Sequence, residues 1–188
     1  MRLKRLFTLG LVALSFIAAS AAADDADKAK KQAEIRGLVS TSLDDFYKAN
    51  PKLKAEVAKA AGYGLFSTYG LSFLVGGAGG KGLVHDNKTK KDTFMEMAQA
   101  SAGVQVGASE TRYLFVFKNA AAMQKFIDSG WEAGASASAG AGTGEKTVEA
   151  GAGAGTFTGG KLYTLTKTGL QAGGAVAGTK VWKDKNLN

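Results

Sequence analysis

Arg112-Tyr113-Leu114-Phe115-Val116-Phe117, followed by Lys118-Asn119-Ala120-Ala121-Ala122-Met123, is the stretch on which the fold turns. After Arg112 the five residues Tyr113 to Phe117 are apolar on both faces, as a central strand buried on both sides must be. Asn119 reads as an N-cap that opens a helix over Ala120–Ser129. Met123, Phe126 and Ile127 turn inward on it, and Gly130 ends it. Outward from this pair, the chain divides into a helical front and a glycine-rich remainder.

Of the 26 glycines among 188 residues, 24 fall between Gly62 and Gly178. With one proline and 45% hydrophobic residues, such a chain is neither collagen-like nor disordered by composition. From Tyr63 onward the pattern is period two. The candidate strands are Leu71–Gly77, Gly80–Asp86, Thr93–Ala100, Ala102–Ala108, Arg112–Phe117, Trp131–Gly142, Thr147–Phe157, Lys161–Thr166, Gly169–Val176 and Gly178–Lys183, with a turn at Asp86-Asn87-Lys88-Thr89. Alanines alternate strictly from Ala133 to Ala141, and Val148, Ala150, Ala152 and Ala154 alternate on the other arm. A flexible linker has no reason to keep that phase, and strands do. If Gly144-Glu145 is a two-residue loop, Ala135 faces Ala154, Ala137 faces Ala152 and every alanine falls on one face. Ala137→Leu would then overpack that face by roughly 1–3 kcal/mol.

Ahead of the sheet, Ile35, Leu38, Val39, Ser42, Leu43 and Phe46 follow the spacing of one face of an amphipathic helix. Asn50-Pro51 breaks that helix. A second helix runs from Lys52 to Ala61 with Leu53 and Val57 on one side, and Gly62 is placed as its C′ residue. The expected fold is therefore α+β and β-rich. It has a mainly antiparallel Gly-rich sheet, sandwich or barrel-like, with N-terminal helices and one inserted helix. The expected organisation is a leader over residues 1–23, an N-terminal amphipathic helix over 24–50 and a β-rich domain over 51–188.

The leader reads as an export signal. Arg2, Lys4 and Arg5 form its basic start, and Leu6 to Ala19 its apolar middle, 14 residues where a bilayer span needs about 20. The small residues at Ala19-Ser20-Ala21-Ala22-Ala23 offer cleavage near Ala23. A bacterial-style leader places the mature chain in the periplasm or outside the cell, peripheral to the envelope. Cleavage lowers the net charge from +8 to +5.

Chemistry finds little to stand on. Without cysteine there is no disulfide, cysteine nucleophile or Cys-containing zinc site. A single histidine, His85, sits beside a turn with no serine and carboxylate partners legible, and reads as solvated or hydrogen-bonded. Gly77-Ala78-Gly79-Gly80-Lys81-Gly82 fits the dinucleotide spacing, yet Leu83-Val84 continues as strand where a helix must begin. Gly155 to Lys161 resembles a phosphate loop, but Leu162 stands where a magnesium-binding hydroxyl belongs. No run of acidic residues suggests calcium. The expectation is a non-enzymatic protein with no catalytic residue, metal or cofactor. The basic residues are scattered and carry no nucleic-acid motif, so an anionic membrane surface is the expected partner.

Three further stretches carry a family resemblance. Gly76-Gly77, Gly80 and Gly82 match a GG-x-x-G-x-G hairpin, and Gly103-Val104-Gln105-Val106-Gly107 matches a G-x-Q-x-G strand followed by the strand and helix of Leu114–Phe126. Tyr163 through Gly178 matches a Tyr/Gly-rich repeat. In this order the set resembles the SYLF family, also called the Ysc84 family, over roughly Pro51 to Asn188. A tryptophan and a proline that often precede the G-x-Q-x-G strand are replaced by Thr93-Phe94-Met95-Glu96, and the Tyr-Gly ending of many relatives is absent. The resemblance implies a lipid-binding protein with affinity for anionic head groups, helped by a basic amphipathic N-terminal helix.

On this reading the lipid-binding residues are Lys28, Lys30, Lys31, Arg36 and Lys81. Replacing Lys28, Lys30, Lys31 and Arg36 with Gln is expected to weaken liposome binding and leave thermal stability nearly unchanged. The alternative is a structural or interaction protein of the envelope, with a protein partner and no specific lipid. An outer-membrane barrel is disfavoured by the missing aromatic girdles and the helix between the strands.

Overall fold

Strand Gly107–Phe117 (β4) occupies the middle of a curled sheet in the computed structural model, as its two-sided hydrophobicity requires, and Tyr113 to Phe117 are all buried. The structure describes residues 8–72, 76–101, 107–133, 149–151, 154–166, 169–172 and 178–188. Among them lie helices α1 (Thr8–Ala49), α2 (Lys52–Lys59) and α3 (Ala120–Ser129). The strands besides β4 are β1 (Gly62–Ser72), β2 (Gly76–Asp86), β3 (Asp92–Ser101), β5 (Trp131–Ala133), β6 (Glu149–Gly151), β7 (Ala154–Phe157), β8 (Gly160–Thr166), β9 (Gly169–Ala172) and β10 (Thr179–Lys183). They join in one antiparallel half-barrel, ordered β5-β10-β3-β2-β1-β4-β8-β7-β6, with β9 on the same edge of β8 as β7. The β-rich α+β class expected from sequence is borne out.

The sheet has an inner and an outer face. Tyr113 on β4 and Gln99 on β3 are separated by two strands, yet the Tyr113 hydroxyl and Gln99 Oε1 lie 3.0 Å apart, so the sheet curls toward this side. α3 fills the hollow. Its Phe126 meets Phe66, Phe115, Phe117, Trp131 and Phe157, with ring centroids 5.1–6.4 Å apart. Edge-on, tilted and stacked contacts of this kind stabilise the cluster beyond the area these rings bury. The helix starts and stops where local signals put it: Asn119 Oδ1 accepts from Ala122 N at 2.8 Å, and Gly130 takes φ +73°, a conformation that favours glycine.

On the outer face α1 lays Ile35, Val39, Ser42 and Phe46 against Leu65, Leu83, Leu114 and Val116, and α2 adds Leu53 and Val57. The segment 184–188 clips α1 down. Leu187 is buried in the same cluster, its carbonyl accepts from Gln32 Nε2 at 2.7 Å, and Asn188 bonds both the N–H and the carbonyl of Phe94.

Four expectations are corrected. Leu71–Gly77 is not a strand: Leu71 and Gly77 are partners across a hairpin, and the strand before it, β1, was overlooked because Gly62, Gly64 and Gly70 break its alternation. Gly62 opens β1 and is not a helix cap. The end of α2 is satisfied by Asn87, whose Nδ2 donates to Val57 O and Ala60 O at 2.7 and 3.0 Å. Thr147–Phe157 is not continuous, since Gly151 pairs with Ala154 and the chain reverses between them. Ala154 is paired with Gly151 of β6, so the continuous arm on which the Ala135–Ala154 register was built is broken. Gly/Ala alternation is self-similar, so phase alone could not choose where the chain turns. The remaining arm of that hairpin, with Ala137, and residues 102–106 of the strand expected at Ala102–Ala108 lie outside the described residues, as do the ends of Trp131–Gly142 and Gly169–Val176, while Gly107 and Ala108 belong to β4.

Candidate ligand groove on the outer face

α1 crosses the outer face obliquely and leaves part of the sheet beside it uncovered. Register fixes what is laid bare. Ser67, Lys81, Glu96 and Trp182 form one row across β1, β2, β3 and β10, and Gly79 and Ala98 pair in the next. With Glu34, Ile35 and Leu38 of α1 as a wall, these residues line a groove of about 590 Å3. Gly79 leaves open space above its backbone, since a Cβ built there meets nothing within 4 Å.

The polar groups at the groove are fixed unequally. Trp182, the exposed large hydrophobic side chain at 36%, donates from Nε1 to Glu96 Oε2 at 2.7 Å. Lys81 is exposed, and although it faces Glu96 in register it has no ion pair among the described residues. Next to Ser67, Arg112 is held between Glu110 and Asp45 of α1, which raises its pKa and lowers that of Asp45.

The five residues read as lipid-binding come from two elements, four from α1 and Lys81 from β2. Lys81 stands on the sheet in the groove. Lys28 Nζ donates to Asn188 O at 2.9 Å, Lys31 pairs with Asp27 at 2.6 Å, and Lys30 is exposed on the same helix. Arg36 sits 4.9 Å over the Phe94 ring, and its Nε donates to Asp92 Oδ2 at 2.7 Å. This corrects the expectation that all four helix cations can be replaced without cost. Arg36 fastens α1 to β3, so its loss confounds stability with binding.

Asp92 also faces His85, whose Nδ1 lies 2.7 Å from Asp92 Oδ1, while the His85 ring packs 5.3 Å from that of Tyr63. Burial pushes the Asp92 carboxyl up, but Arg36 and His85 outweigh it and hold it below the usual carboxylate range. The histidine is hydrogen-bonded, as read. Among the described residues no group of three or more His, Cys, Asp or Glu could hold a metal ion, and no helix is long and apolar enough to cross a membrane.

Sequence reading missed Glu34, Ser67, Gly79, Glu96, Ala98 and Trp182. The one local hint is Lys180-Val181-Trp182-Lys183, in which the apolar Val181 points inward and Trp182 outward. What joins Trp182 to Lys81 is a strand order that the sequence order hides.

With this geometry in place, comparison with known proteins is informative. The Ysc84 family, described as Las17-binding protein actin regulator, matches residues 98–188. The chain is also 28% identical over 163 residues, 85% of its length, to Beta cell expansion factor A of Aeromonas veronii, and spans 60% of that relative. The SYLF resemblance is thereby borne out.

Proposed function

For a chain that carries the Ysc84 (SYLF) domain over residues 98–188, we propose a non-enzymatic role: docking on anionic phospholipid surfaces. The observation that carries this reading is Lys81, an exposed ammonium without an ion-pair partner among the described residues, standing beside an apolar groove and the exposed Trp182. Cation, aromatic and apolar wall together are the chemistry of a membrane interface. Lys28, Lys30 and Lys31 add a second basic point on α1. Exposed pairs such as Lys31–Asp27 are worth little, and either lysine can exchange its partner for a phosphate. Each lysine near an anionic surface adds about 1 kcal/mol.

Export belongs to the same proposal. The leader over residues 1–23 would deliver the mature chain to the periplasm or beyond, where an envelope surface is at hand. Among the described side chains, the buried apolar contacts of α1 begin at Ile35, on the mature side of a cleavage near Ala23.

Co-sedimentation with phosphatidylglycerol-rich and pure phosphatidylcholine liposomes at low salt tests the reading. Wild type should pellet with the anionic vesicles alone. Lys28→Gln/Lys30→Gln/Lys31→Gln should cut that binding at least tenfold with an unchanged melting temperature, and Lys81→Gln should weaken it further. Failure of wild type to bind anionic vesicles would leave the envelope interaction protein, with a protein partner on the same groove. The intact mass of the exported protein tests the leader, a chain beginning at Asp24 being expected.

A further inference from the structure

We propose that the groove between α1 and the β2–β3–β10 face binds one single-chain amphiphile whose head carries both an ammonium and an anionic group, the chemistry of lysophosphatidylethanolamine. Capture of a single molecule from solution does not rest on docking to a membrane surface, and it predicts a different selectivity.

The inference starts from charge. Among the described lining residues the groove holds one cation, Lys81, and two carboxylates, Glu34 and Glu96. They do not neutralise each other: no ion pair joins Lys81 to either carboxylate among the described residues, and Glu96 is turned toward the Trp182 indole, which holds its Oε2. A purely anionic head would meet two carboxylates for one ammonium, and a purely cationic head would leave Lys81 without a partner. A head of both signs answers all three, its phosphate toward Lys81 and its ammonium toward Glu34 and Glu96. Complementarity of this kind selects among ligands more than it tightens any one of them.

The apolar part sets the tail. Ile35 and Leu38 form one wall, and the floor is the Gly79–Ala98 pair, which offers bare backbone and a methyl where longer side chains would fill the trough. A volume of about 590 Å3 lies within the ordinary range of small-molecule sites, and a single hydrocarbon chain can lie along it. Glycine at position 79 is not there for want of room, because its Cβ direction is open, whereas Gly80 and Gly82 point inward against backbone and side chains of β1. Gly79 thus keeps the trough empty.

Calorimetric titration with palmitoyl lysophosphatidylethanolamine, below its micellar concentration, tests this, with Trp182 emission as a second readout. One molecule per chain should bind. Palmitoyl lysophosphatidylglycerol, which lacks the ammonium, should bind at least tenfold more weakly, and phosphoethanolamine without a chain should not register. Gly79→Leu, whose side chain projects into open space, should weaken capture at least tenfold with melting unchanged. Glu34→Gln on the exposed helix surface should narrow the gap between the two lysolipids. Equal affinity of wild type and Gly79→Leu, equal affinity for the two lysolipids, or no binding by wild type would each overturn the proposal. The triple lysine variant, whose substitutions lie outside the groove lining, should still capture the lysolipid while its liposome binding falls. Loss of both activities in that variant, with melting intact, would mean one shared site and overturn capture as an event separate from docking.

Discussion

Gly79 and Gly82 lie three residues apart on β2 and face opposite sides of the sheet. A Cβ on Gly82 would sit 2.0 Å from Leu65 O and 2.7 Å from the Phe66 ring, and that carbonyl cannot retreat without moving the neighbouring strand. On the inner face, glycine therefore lets β2 curl hard against β1; on the outer face it holds a trough open. Gly82→Ala should cost about 2–3 kcal/mol in urea denaturation, as overpacking against backbone does, while Gly79→Ala should stay within about 0.5 kcal/mol. Asp92 supplies the residue-scale pH dependence. Its carboxyl is held below its unfolded value of about 3.9, so its stabilisation is present above that pH and is lost as pH falls through the folded value. Asp92→Asn should lower stability by about 1–2 kcal/mol at pH 7, and the gap from wild type should narrow as the pH falls through the acid range below about 4. A gap that does not narrow at all on acidification would mean that the ionised carboxylate is not its source.

Among the elements, α3 was legible to the residue and β1 was not, and the difference is physical. Asn119, the inward trio Met123, Phe126 and Ile127, and Gly130 are all local signals, and a helix needs no others. β1 has three glycines in eleven residues and is apolar on both sides, so only its partners β2 and β4 make it a strand. α1 lies between these cases. The spacing from Ile35 to Phe46 announced a buried face, while nothing in that spacing told of Leu187 beneath it or of Asn188 at Phe94. Docking of α1 should therefore respond to a residue 150 positions away. Leu187→Ala is expected to cost about 2–4 kcal/mol by opening a cavity under the helix. Hydrogen exchange should speed up in Gln32 to Val39 before it does in β4; uniform acceleration across the sheet would show that the clip does not act on α1 in particular.

For the molecule as a whole, the class was readable from composition and periodicity, and the groove was not. Its members come from α1, β1, β2, β3 and β10, and they meet because β10 stands between β5 and β3. Lys81 alone was singled out beforehand, on its glycine-rich surroundings. That same placement of β10 governs the order in which the polypeptide can be assembled. Translation delivers this strand after the other described strands, yet both of its neighbours wait for it, and the hydrogen bonds from Gln32 and Lys28 to Leu187 and Asn188 bridge 155 and 160 positions. Contacts so distant along the chain are slow to form, because the ordering of the intervening loop comes before any return from the contact. Until Thr179–Lys183 leaves the ribosome, β3 carries a naked edge open to strangers. Pairing of β10 with β3 and β5 is therefore expected to be a late step in the assembly of the sheet.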